Sequence, residues 1–243
     1  MGKRLRRSLL WALLLLALAG LVWAAAELAG QANKSAADAG SNAADMEMAS
    51  LDMIKPSKSA PNCNWAQEKK LRKELERIDK GYRKLLARAQ SDIAGKEGKV
   101  SADTRAKDLK SAELFKATSE KYAAMWDKCN CTSRAKLARE TGESRVKSAT
   151  MAFNDVDSGN VDACNEQQDS MASARKAYVE DAKTDLSDKD RAALKSNLLP
   201  KAEKIAGNLT TLGQNVTGLL GQIQSQATDP VAIGGCARQV VSD

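Results

Sequence analysis

Between Asn64 and Ile93 one spacing dominates: Trp65, Leu71, Leu75, Ile78, Tyr82, Leu85, Ala89 and Ile93 recur largely at threes and fours, with charged residues between them. That period gathers apolar groups on one side of an α-helix and charge on the other. "AGKEGKVSAD" breaks the pattern with Gly95 and Gly98, and Ser101 or Asp103 caps a second helix carrying Leu109, Ala112, Phe115, Tyr122, Met125, Trp126 and Cys129. Two long helices joined by a short glycine turn form an antiparallel hairpin.

The rest of the chain follows the same grammar. A third segment, 133–156, has a thin stripe (Ala138, Val146, Ala149, Phe153, Val156) interrupted by Gly142, and reads as a loosely packed helix. Val161, Cys164, Met171, Ala174, Tyr178 and Ala182 mark a fourth helix, and Ser187 or Asp188 caps a fifth, with Leu194 and Leu198 inward before Pro200 kinks or restarts it. Beyond the proline, Ala202, Ile205, Leu209, Leu212, Val216, Leu219 and Ile223 alternate threes and fours as in a coiled coil. Gly, Thr, Asn and Gln fill the remaining positions, so this helix needs packing partners. No strand pattern competes. The expected fold is all-α: an elongated antiparallel helical bundle with coiled-coil-like helices over residues 63–226, followed by a tail, 227–243.

Two segments precede that body. "MGKRLRRSLLWALLLLALAGLVWAAAE" opens with four basic residues, continues with eighteen uncharged ones from Leu9 to Ala26, and ends in small residues suited to a signal peptidase. Residues 1–26 therefore read as an export signal. Cleavage is the favoured outcome, but the run is just long enough to stay as a single membrane span flanked by Trp11 and Trp23. Residues 27–62 are rich in Ala, Ser, Asn, Asp and Gly, a composition with too little apolar surface to offset its ordering entropy, and read as a flexible tether. Within it Met46, Met48, Leu51, Met53 and Ile54 form a short apolar helix stopped by Pro56, suited to docking on the body or on a partner.

Composition removes several functions. With no histidine, catalytic triads of the Ser-His type, helical zinc-hydrolase motifs, haem attachment and Glu-x-x-His di-iron sites are excluded. The net charge of +7 belongs largely to Lys3, Arg4, Arg6 and Arg7; without them 34 basic residues face 31 acidic ones, or +3. Seven aromatics remain after residue 26, mostly at core spacing, so nucleic-acid binding is not expected. Asp155, Asp157 and Glu166 faintly resemble a calcium loop, but Gly159 falls one position early.

Five cysteines in an exported chain point to disulfides. On an up-and-down path Cys63 opens the first body helix at the end where Cys129 and Cys131 close the second. Cys164 opens the fourth helix at the opposite end, from which the tail bearing Cys236 emerges. This parity pairs Cys63 with Cys129 or Cys131, pairs Cys164 with Cys236, and leaves one thiol over for an intermolecular bridge. The functional expectation is a non-enzymatic envelope scaffold or protein-binding module, periplasmic or at the cell surface. It needs no cofactor, has a protein partner, touches the membrane only through an uncleaved N-terminus, and has the option of a disulfide-linked homo-oligomer. The alternative is a metal-handling protein that binds Cu(I) through Met46, Met48, Met53, Cys129 and Cys131. Asn-x-Ser/Thr triplets at Asn33, Asn130, Asn208 and Asn215 are glycan acceptors only on a eukaryotic export route.

Overall fold

The computed structural model describes residues 2–54, 63–95, 98–153, 158–181 and 186–228, with the side chains of residues 2–22, 25 and 226–228 left outside that description. Helices make up these residues, and no strand occurs among them. In chain order they are α1 (Gly2–Met53), α2 (Trp65–Ile93), α3 (Ala102–Asp127), α4 (Thr132–Phe153), α5 (Ser158–Asp181), the short α6 (Asp188–Ala193) and α7 (Leu199–Thr228). A π-helical turn, Leu194–Leu198, joins α6 to α7.

Local chemistry sets the ends. Asn64 caps α2 by accepting from the Gln67 amide, Ser101 caps α3 by accepting from Thr104, and Ser187 caps α6 by accepting from Asp190. Gly98 takes a φ of 62°, the left-handed conformation that the α2–α3 turn requires and that glycine adopts without a Cβ clash. Pro200 does not break the last helix. It lacks an N–H and crowds the carbonyl four residues back. The chain answers by widening one turn before it, where the Leu199 amide donates to Leu194 five residues earlier.

The helices pack as two four-helix groups that share α1 and α4. α1, α2, α3 and α4 form one group; α1, α4, α5 and α7 form the other. Runs alternate in direction: the Arg134 side chain at the start of α4 reaches the Ile54 carbonyl at the end of α1, while Gln31 and Lys34 of α1 lie beside Gln214 and Gln222 late in α7.

The shared helices are the two that the sequence pattern describes least well. The flexible tether expected over 27–62 is corrected for its first part: residues 27–53 continue α1, and Ala36, Ala37, Ala39, Ala43, Ala44, Met46, Leu51 and Ile54 are buried. Residues 55–62 lie outside the described set. Small side chains explain the reversal, because they let α1 approach its neighbours closely. A Cβ added at Gly40 would stand 2.8 Å from that of Ala152 on α4. Polar side chains along α1 satisfy themselves locally: Ser50 donates to the Met46 carbonyl at 2.9 Å and Asn42 to that of Asp38 at 2.9 Å.

α4 also reverses expectation. Far from loose, it buries Leu137, Ala138, Thr141, Gly142, Ser144, Arg145, Ser148, Ala149, Met151 and Phe153. The α2 stripe falls as expected except that Leu86, not Leu85, is buried and Trp65 is exposed. In α7 the coiled-coil spacing splits: Ala202, Leu209 and Val216 are buried, whereas Ile205, Leu212, Leu219 and Ile223 are half-buried. The tail beyond Thr228, and the Asp155 and Asp157 positions, lie outside the described residues.

Candidate functional site

At one end of the molecule the Cys63 and Cys129 sulfurs form a disulfide with Cα atoms 5.5 Å apart, joining the start of α2 to the end of α3. The parity expected from the sequence holds for this pair. The intervening "CNC" turns out to be a helix terminus: Asn130 takes φ 58°, the Cys131 amide donates to the Trp126 carbonyl at 3.0 Å, and the Asn130 amide donates to Asp127 at 2.9 Å. These two bonds are those of a Schellman cap, in which an Asn is the usual substitute for glycine at the left-handed position. The two cysteines are therefore spaced by the cap residue between them. Cys131 is buried outside the Cys63–Cys129 bond, with its sulfur 3.6 Å from the Cys129 carbonyl.

Next to this cap lies a cationic and aromatic layer. The Arg134 guanidinium stacks 4.7 Å from the Trp126 ring and 5.8 Å from that of Tyr178. Arg175 is also buried; burial pulls its ionisation below the usual range, with Glu203 opposing.

The centre of the shared α1–α4 pair holds the most organised polar cluster. Glu47 is fully buried and accepts from the Arg145 Nε, from Ser144 Oγ at 2.8 Å and from Ser148 Oγ at 3.3 Å. Arg145 also donates to Asp79 at 2.8 Å, and its guanidinium lies between the rings of Phe115, at 4.0 Å, and Tyr82, at 4.4 Å. Asp79 in turn accepts from Arg83 at 2.7 Å, which reaches Asp45 on α1 at 2.6 Å. Burial pushes the Glu47 carboxyl up, against the pull of Arg145. Glu47 and Arg145 are closed to solvent, and through Asp79 the network reaches the surface at Arg83 and Asp45, tying α1, α2 and α4 together. Cys164, on α5, is buried nearby, and burial pushes its thiol up to about 12, which leaves it a poor nucleophile.

At the opposite end, where α1 enters the bundle, two open grooves flank it. One, of ≈ 460 Å³, runs along α2 past Gly30, Lys34, Asp38, Gln90 and Ile93. The other, of ≈ 540 Å³, runs along α7 past Gln31, Ser35, Gln214, Gly218 and Leu219. Gln31, Lys34 and Asp38 line both. The α2–α3 turn clasps α1 at this end, with the Asn33 side-chain amide donating to the Gly98 carbonyl at 2.8 Å.

Several expected site residues are placed differently. Of the two docking surfaces expected for Met46, Leu51, Met53 and Ile54, the body takes them: they are buried in this chain's own core, with Met48 packed against it, and are not open to a partner. The Cu(I) donor set is not assembled as expected, because the Cys129 sulfur is bonded to Cys63. Cys236 lies outside the described residues, so its pairing with Cys164 is not described. Among the described residues no group of three or more His, Cys, Asp or Glu is placed to hold a metal ion. Among the residues whose side chains are described, which exclude most of Leu9–Ala26, no helix is long and apolar enough to cross a membrane.

Sequence reasoning missed Glu47, Arg145 and Asp108. The available signal was a Glu within the alanine-rich part of α1 and an Arg among the small residues of α4, where Arg134 is buried as well. No family model, no curated protein and no solved structure matches the chain.

Proposed function

We propose that the chain is an exported, non-enzymatic helical-bundle protein that serves as an envelope scaffold or protein-binding module. The observation that carries this reading is the Cys63–Cys129 disulfide downstream of an export-type N-terminus. Disulfides persist in oxidising compartments, where the signal would deliver the chain. The Glu47–Arg145–Asp79 cluster is buried and internally paired, and the other described ion pairs reach the surface, which favours a binding role over catalysis. The grooves beside α1 offer the partner a concave surface at the end where α1 enters.

α1 gives the proposal its mechanical form. The helix that begins in the apolar export segment is the one that carries Glu47 into the core. If the segment is retained, Leu9–Ala26 spans about 27 Å as a helix, close to a bilayer's hydrocarbon thickness, and the bundle is held within a few turns of the surface. If it is cleaved near Ala26, the buried part of α1 remains whole and the body is released.

The test combines fractionation, intact mass under non-reducing conditions, and photo-crosslinkers at the exposed Gln31 and Gln222. The expected result is an exported chain with Cys63 bonded to Cys129 and a discrete protein adduct from the groove positions. A chain retained in the cytoplasm with both thiols reduced, or stoichiometric copper in the purified protein, overturns the reading.

A further inference from the structure

The α2–α3 hairpin carries a carboxyl group with no hydrogen-bond partner. Asp108 is fully buried, and neither of its oxygens accepts a hydrogen bond. It lies two turns into α3 from the Ser101 cap. α2 presents Arg88, Asp92 and Tyr82 to it, and its own helix carries Arg105 one turn earlier. The residues that α1 and α4 contribute to the neighbouring apolar cluster, Ala37, Ala44, Ala149 and Phe153, bear no charge.

Asp92 differs from Asp108 in every respect. It accepts from the Ser101 hydroxyl at 2.7 Å and the Ser101 amide at 3.1 Å, and these donors hold its carboxyl below the usual range. Asp92 is thus the fixed anion that fastens the turn to α2. Burial, reinforced by Asp92 and opposed by Arg88, raises Asp108 to about 7.

We infer that Asp108 makes the α2–α3 tip a proton-sensitive latch on α1. With its proton, Asp108 stays buried and the tip keeps its hold through Asn33 and Gly98. Without it, the carboxylate is repelled by Asp92, drawn toward exposed Arg88 and solvated only when the tip lifts. Opening is therefore coupled to proton release, because the lifted state returns the carboxyl to its ordinary ionisation range. The sign follows: opening grows as pH rises from about 4 and levels off near 7. The grooves on either side of α1 share this end of the molecule, so the latch sets how firmly their α1 wall is held.

Hydrogen exchange of the full chain from pH 4 to 8, corrected for intrinsic pH dependence, tests the latch. In the native chain, protection of residues 98–104 and 30–38 should fall at least about tenfold with rising pH and then level off, while residues 141–152 around Arg145 keep theirs. Asp108→Asn should hold the acid-side protection throughout. Arg88→Gln, which removes the cation opposing the shift, should move the levelling-off point to higher pH. Identical pH profiles for the native chain and Asp108→Asn, or an equal loss around Arg145, overturn the inference.

Discussion

Removing the carboxylate of Glu47 leaves Arg145 in a site closed to water, with Asp79 as its remaining anion. Breaking one side of a buried pair costs about 3–5 kcal/mol. Glu47→Ala should fall near the lower end because Asp79 persists, and urea unfolding at pH 7 measures it. Adding Arg145→Met to Glu47→Leu should recover part of the loss, a coupling absent for pairs that do not touch. Asp108 acts in the opposite sense. Its folded-state ionisation is raised to about 7 from a usual 3.8, so its favourable contribution is full below about pH 4 and lost as pH rises toward 7. Asp108→Asn should match the native chain at pH 4 and exceed it by on the order of 3 kcal/mol at pH 8. Unfolding curves at the two pH values settle this, and equal stability at pH 8 would count against an ionised, buried Asp108.

Glycines report how tightly each helix is held. A Cβ at Gly142 would meet the Ser119 Cβ at 2.9 Å and the Lys116 Cα at 3.2 Å, so α3 and α4 are in contact there with little room to yield. Gly142→Ala should therefore lower stability by about 1–3 kcal/mol despite alanine's helix preference. Gly207 and Gly218 of α7 face open space. Alanine at either should add roughly 0.5–1 kcal/mol, and melting temperatures separate the two classes. This contrast also explains what the sequence makes legible. The outer helices α2, α3 and α5 have one apolar side and one wet side, so their stripes, together with the caps of α2 and α3, mark them directly. α1 and α4 are surrounded, and their period is blurred because alanine, serine, glycine and paired ions occupy the inner positions. A rule that sends polar residues to solvent turns a central helix into a tether. The cysteine parity was readable because it depends only on where helices begin and end. The Glu47 layer was not, because it joins residues about 100 positions apart on helices whose contact the pattern does not announce.

The disulfide and α1 together decide the stability of the whole molecule. Cys63 and Cys129 are 66 residues apart, and opening a loop of that size should cost about 4 kcal/mol in the chain-entropy account. Reduction, or Cys63→Ser with Cys129→Ser, should lower the melting temperature accordingly while leaving far-ultraviolet circular dichroism helical. A chain starting at Cys63 fares worse, because it lacks the helix that α2, α4 and α7 all pack against. Such a chain should lose its fixed near-ultraviolet signal, whereas one starting at Glu27 should keep it. The position of α1 also imposes an order on synthesis. The first helix to emerge waits for Arg145, 98 residues after Glu47, and then for α7, the last helix of the described chain. Until the C-terminal third has been made, the N-terminal helix has no complete seat, and nascent chains of intermediate length should stay open to protease. On the export route proposed above, a first segment that closes last keeps the chain from locking shut ahead of a narrow translocation channel.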